Sequence, residues 1–163
     1  MLMVMMQMMI FSNYVNTTTF KIVIISLISM IIAQVLKFLI NFVITKEVNV
    51  EKLISTGGMP SSHSSFVAAL VCSILFYEGA DSVAFAVALV FALVTIHDAM
   101  GVRLEASKHA KILNKIINDL PADKKAHYGI VKDLKEPLGH VPAEVFAGVI
   151  LGIIIALISF YIW

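Results

Sequence analysis

Two histidines stand in contexts that suit phosphoryl and proton chemistry. His63 closes the glycine- and hydroxyl-rich run Ser55-Thr56-Gly57-Gly58-Met59-Pro60-Ser61-Ser62-His63-Ser64-Ser65, which opens straight into an apolar stretch. At such a junction the first helical N–H groups lack intrahelical acceptors and the helix dipole adds partial positive charge, so an anion such as phosphate can be cradled. Gly58, Ser61 and Ser62 are the candidate phosphate-binding residues of this loop. His63, on the first helical turn, would face the same anion and could protonate a leaving oxygen. Ordinary serine N-capping accounts for the same residues. The second motif is His140-Val141-Pro142-Ala143-Glu144. Its spacing predicts that His140 and Glu144 share one helix face. Glu144 would then accept from one ring nitrogen and leave the other as a nucleophile. A polar pair that steadies a helix start at the interface is the alternative.

Cationic partners for an anion are few. Gln34, Lys37 and Asn41 fall at i, i+3 and i+7, one polar stripe on an otherwise apolar helix. A charge near membrane depth costs on the order of 3 kcal/mol on insertion scales, which favours a stripe facing the bundle interior or a wet cavity. Lys37 could bind an anion there with Asn41 in support, or it could snorkel to the helix end. Arg103 could clamp phosphate bidentately, with Asp98 holding that arginine or a histidine. A plain surface ion pair explains those two equally well. His97, His109 and His127 have no distinctive context.

The elements that must position these groups belong to a membrane protein. Of the 163 residues 60% are hydrophobic and 14% charged, which bounds the chain to a single membrane domain, and a net charge of +1 gives no footing for nucleic acid. The lone Cys72 lies in an apolar run and supports neither a disulfide nor a thiolate cluster. The methionine-rich N-terminus has no basic n-region and no small-residue cleavage site, so it reads as an interfacial segment or the start of the first span. A span needs about 20 mostly apolar residues. The expected spans are 20–44, 62–77, 81–101 and 145–163, the middle two reaching full length only by absorbing their polar flanks. An all-α bundle of about four transmembrane helices follows.

Two crossings separate the loops 45–60 and 101–139, so both histidine motifs fall on one membrane face. These loops carry ten of the twelve Lys and Arg; of the other two, Lys37 lies within a span and Lys21 on the opposite side. The positive-inside rule makes the shared face cytoplasmic in a multi-pass cell-membrane protein. Within the long loop, Ala106, Ala110, Leu113, Ile117 and Leu120 predict an amphipathic surface helix over 103–120. Lys108, Lys111 and Lys115 share another of its faces, either solvated or drawn to anionic head groups.

Taken together, Gln34-Val35-Leu36-Lys37, Ser55 to Ser64, His97-Asp98-Ala99-Met100-Gly101-Val102-Arg103 and Leu138 to Val145 resemble the divergent membrane branch of the type 2 phosphatidic acid phosphatase superfamily, related to the vanadium-dependent haloperoxidases. The resemblance runs roughly from Ile32 to Gly152. It implies that His140 attacks phosphorus, that Glu144 stands in place of the orienting aspartate, that His63 protonates the leaving alcohol and that Lys37 binds phosphate. The implied activity is metal-independent hydrolysis of a lipid phosphomonoester, of phosphatidic acid or isoprenyl phosphate type, through a phosphohistidine intermediate, with no cofactor. The expected partners are that lipid phosphate and the surrounding membrane lipids, with a homo-oligomer left open.

The sequence departs from the superfamily pattern at defined points. Ile44-Thr45 stands where Arg-Pro would follow the lysine, Leu134 occupies the position of the arginine before the second histidine, and Ser62 replaces a glycine. Arg103 and Lys135 are the residues that could replace the missing arginines in space. Two other readings keep the same residues: a non-catalytic binder or translocator of lipid phosphates with a degenerate site, and a metal-dependent enzyme with His63, Asp98, His140 and Glu144 as ligands.

Overall fold

The structure, a computed structural model, describes residues 2–46, 58–121, 124, 134 and 141–163, and for most of residues 2–16 the backbone alone. Five helices account for nearly all of them: α1 (Leu2–Thr45), α2 (Ser62–Glu78), α3 (Val83–Met100), α4 (Val102–Asp119) and α5 (Pro142–Ile162). The fold is an all-α membrane bundle. Among the described residues three stretches are long and apolar enough to cross a bilayer: Thr17–Thr45 of α1, Val83–Asp119, whose apolar part is α3, and Pro142–Ile162, which is α5; α2 is apolar but shorter. The methionine-rich stretch is the first part of α1, continuous with the span that follows.

Local signals place the helix ends. Ser61 and Ser82 cap α2 and α3 through their side chains, accepting from the N–H groups of Ser64 and Phe85. Gly79 ends α2 at φ +84°, a backbone conformation that L side chains rarely adopt, and its N–H reaches the Leu75 carbonyl at 3.1 Å. Gly101 alone separates α3 from α4. Pro142 opens α5 at its first turn, where a missing N–H costs nothing.

The short helix α2 is the centre of the bundle, packed against α1, α3 and α5. At 1.5 Å per residue its 17 residues span about 25 Å, less than a hydrocarbon core of about 30 Å. Protein rather than lipid surrounds it, so it can be short and carry the buried Ser62, Ser64, Ser65 and Ser73. Ser65 meets Ser29 of α1, their hydroxyls 2.6 Å apart, while Ser29 Oγ also donates to the Ser65 carbonyl and Ser65 Oγ to the Ser29 carbonyl. Interhelical hydrogen bonds of this kind contribute about 1 kcal/mol each in a membrane.

On its other side α2 meets α5 at Gly148 and Gly152. A Cβ built on Gly148 would lie 2.4 Å from the Ser61 carbonyl oxygen, and one on Gly152 2.4 Å from that of Ser65. No side chain larger than hydrogen fits at this crossing, the close backbone approach that a small-xxx-small pair allows.

The end of the bundle away from the histidine motifs is aromatic. Phe160 of α5 packs on Phe76 and Tyr77 of α2, with ring centroids 5.2 and 5.6 Å away. Lys21 of α1 donates to the Trp163 carbonyl at 2.7 Å and lies 5.8 Å from the Trp163 ring centroid. A lysine among amphipathic rings is the composition of a membrane interface. Lys37 sits 16 residues further along α1, about 24 Å away at the helical rise, and so falls at the opposite interface.

The amphipathic helix α4 lies where the periodicity predicts it. Of the expected stripe Ala110 is buried and Ala106, Ile117 and Leu120 are half-buried, while Leu113 is 47% exposed; Ser107 and Asn114 extend the buried side. The burial of Asn114 has a polar cause. Its Nδ2 donates to the Leu134 carbonyl and its Oδ1 accepts the Leu134 N–H, both at 2.9 Å, so it pins Leu134 against α4. A polar residue that pairs with backbone is buried at little cost, which hydrophobic periodicity alone does not reveal.

Candidate functional site

The site is built at the start of α2. Met59-Pro60 forms a cis peptide bond, and Gly58 before it takes φ +98°. Gly58 lies against Lys37: a Cβ there would be 3.3 Å from both Cγ and Cδ of the lysine. The Lys37 side chain therefore passes under the loop, and it is only 3% exposed. The polar stripe of α1 thus faces the bundle interior at Lys37, and the snorkelling alternative does not hold. Gln34, one turn away, also has its Oε1 buried. Asn41 is further along, its Nδ2 3.5 Å from Thr45 Oγ1, which in turn donates to the Asn41 carbonyl.

Ser61 joins the two motifs. Its N–H donates to the Glu144 carbonyl oxygen at 2.9 Å. Its Oγ accepts from the Ser64 N–H at 3.3 Å and from the Ser64 hydroxyl at 3.0 Å, so it carries out the capping role as well. Ser62, at the first helical position, is buried, and His63, at the second, is exposed. The start of α5 is thus held against the start of α2 by a backbone hydrogen bond, with Gly148 against Ser61 one turn further on.

The second motif is described from Val141 onward. α5 begins at Pro142, with Val141 extended at ψ 152° as its N-cap, because a residue before proline is steered away from the helical region. His140 and Lys135 themselves lie outside the described residues. Glu144, in the first turn of α5 where a carboxylate suits the helix dipole, is partly exposed.

Arg103 and Asp98 form an ion pair across the α3–α4 junction, Nε to Oδ2 at 2.6 Å, and both side chains are more than one third exposed. This is the surface ion pair expected as the alternative to a phosphate clamp. An exposed pair contributes about 0–1 kcal/mol to stability. On α4, Lys108 bridges Glu105 at 2.6 Å, and that hydrogen bond holds the Glu105 carboxyl below its usual value. Among the described residues no three His, Cys, Asp or Glu side chains converge as a metal would require.

Sequence reasoning missed the glycine pair and the Ser61–Glu144 bond. The G-x-x-x-G spacing of residues 148–152 was a readable signal for the first. A hydrogen bond between backbones distant in sequence leaves no signal in side-chain type.

The sequence profile described as the divergent PAP2 family matches residues 18–155, which include all of α2 to α4 and most of the spans of α1 and α5. The chain belongs to the divergent PAP2 family. A Bacillus subtilis (strain 168) protein described as the uncharacterized membrane protein YuiD is 41% identical over 144 residues, covering 83% of this chain and 91% of the relative. No solved structure matches the chain significantly. Membership in the divergent PAP2 family agrees with the helical membrane architecture.

Proposed function

We propose that the protein is a membrane phosphatase that hydrolyses a lipid phosphomonoester, of phosphatidic acid or isoprenyl phosphate type, through a phosphohistidine intermediate. The observation that carries this reading is the 2.9 Å bond from Ser61 N–H to the Glu144 carbonyl, which holds the start of α5 against the start of α2 beside a buried lysine. A nucleophile, a proton donor and a fixed cation are the parts that phosphoryl transfer requires.

In the proposed cycle a ring nitrogen of His140 attacks phosphorus and the bond to the ester oxygen breaks. His63 gives its proton to the departing alkoxide, which leaves as the lipid alcohol. Water then attacks the phosphorus of phosphohistidine, His63 takes a proton back, and inorganic phosphate departs. Glu144 orients the nucleophilic imidazole. Lys37 and the N-terminus of α2, with Gly58, Ser61 and Ser62, balance the charge on the phosphoryl oxygens, and Arg103 and Lys135 supplement them from the long loop. The lysine asymmetry of the loops supports a cytoplasmic location for this face; external labelling of cysteines placed in the 101–139 loop of intact cells would reverse it.

The test uses purified protein in detergent with labelled phosphatidic acid and isoprenyl phosphates. Phosphate release that persists in excess chelator is expected. Release abolished by chelator would point to a metal enzyme, and binding without release to a carrier. Lys37→Met is expected to lower kcat/KM by roughly 10- to 100-fold, the loss of one charge-assisted contact in a dry site. An unchanged kcat/KM would remove Lys37 from the site.

A further inference from the structure

The helix α4 carries Arg103, Glu105, Lys108, Lys111, Lys115 and Asp119, too many charges to cross a membrane, and only Gly101 separates it from the apolar α3, so it starts at the bilayer surface. Its buried face is Ser107, Ala110 and Asn114. At 100° per residue, Ile112, Leu113 and Ile116 lie on another face, centred well over 100° from the first. All three are large, apolar and exposed. Lys111 and Lys115, one turn apart and both exposed, border them on the remaining side. Glu105 on the same helix is already matched by Lys108.

We infer that α4 docks this second face onto a bilayer surface rich in anionic phospholipid. The isoleucines and Leu113 enter the boundary between head groups and acyl chains, and Lys111 and Lys115 meet lipid phosphates. Three observations favour a membrane over a protein partner. Covalent continuity with a spanning helix fixes the height of α4 at the interface. The apolar stripe is separate from the face that packs on protein. The bordering charge is net positive, Lys111 and Lys115 against the exposed Asp119, as anionic head groups demand. The inference does not depend on the phosphatase reading, since it concerns neither histidine.

Spin labels test it in the full-length protein with Cys72→Ala as background, reconstituted in nanodiscs of phosphatidylcholine alone or with phosphatidylglycerol. Single variants Ile112→Cys, Ile116→Cys, Lys111→Cys and Lys115→Cys report collision with oxygen, which partitions into lipid, and with a water-soluble nickel chelate. Labels at 112 and 116 are expected to favour oxygen several-fold over labels at 111 and 115. This contrast should grow in the anionic discs. In Ile116→Cys carrying Lys111→Gln and Lys115→Gln, at least half of that anionic increment should disappear. Equal accessibility at all four positions would overturn the docking. Shielding of 112 and 116 from both probes would indicate a protein contact instead. A contrast indifferent to anionic lipid, or unaffected by the lysine replacements, would overturn the head-group recognition.

Discussion

Replacing His140 by alanine is expected to abolish phosphate release, by three orders of magnitude or roughly more, because removal of a covalent nucleophile closes the whole reaction path. The loss should fall on kcat, with lipid-phosphate binding retained, since Lys37 and the start of α2 hold the anion. His63→Ala should behave differently. A general acid contributes about 10²- to 10⁴-fold, and the need for it shrinks as the leaving group becomes more acidic. The His63→Ala defect should therefore be large with a lipid phosphate and small with an aryl phosphate, whereas the His140→Ala defect should be large with both. Rapid acid-labile labelling of the wild-type protein by the phosphate of the substrate, absent in His140→Ala, would report the intermediate directly. Full turnover by His140→Ala would end the proposed mechanism.

The second large effect concerns the fold beneath the site. Alanine at Gly152 would bring Cβ to 2.4 Å from the Ser65 carbonyl oxygen, 2.8 Å from Ala68 Cβ and 2.9 Å from the Ala69 nitrogen. These are backbone and Cβ positions, so no flexible tip can swing aside, and α5 must retreat by about 1 Å to restore ordinary contact distance. Helix propensity pulls the other way, favouring alanine by about 1 kcal/mol. Overpacking costs about 1–3 kcal/mol and here acts along a whole helix–helix interface, so destabilisation is expected to win. Gly152→Ala should lower the unfolding midpoint in detergent by several degrees. Gly148→Ala, against Ser61 itself, should in addition depress phosphate release more than its stability loss explains, because it displaces α5 where Glu144 meets Ser61. A midpoint raised by Gly152→Ala would mean that the helices do not cross so closely.

Much of this arrangement was legible in the sequence. The serine caps at 61 and 82, Gly79 and Pro142 are local signals, and the helix boundaries follow them because capping and φ restriction act within a few residues. The stripe through Lys37 was readable because a helical period puts aligned polar residues on one side, and a buried bundle is the only apolar place where they are tolerated. The burial of Asn114 on α4 was not legible because it spends its polarity on the Leu134 backbone, a partner that lies twenty positions away. The shared helix face expected of His140 and Glu144 falls on a residue outside those described, whereas the start of α5 at Pro142 follows from the proline itself.

Composition, span length and residue chemistry by themselves settled that the chain is a helical membrane protein and named the candidate side chains for phosphate chemistry. They did so because hydrophobic transfer, capping and proton affinity are properties of residues and short segments. Only the tertiary structure decided that the shortest apolar helix lies at the centre, that Lys37 runs beneath Gly58, and that the starts of α2 and α5 meet through Ser61 and Glu144. Those outcomes depend on how closely two backbones can approach. Missing Cβ atoms at Gly148 and Gly152 set that distance, and backbone groups common to every residue make the bond.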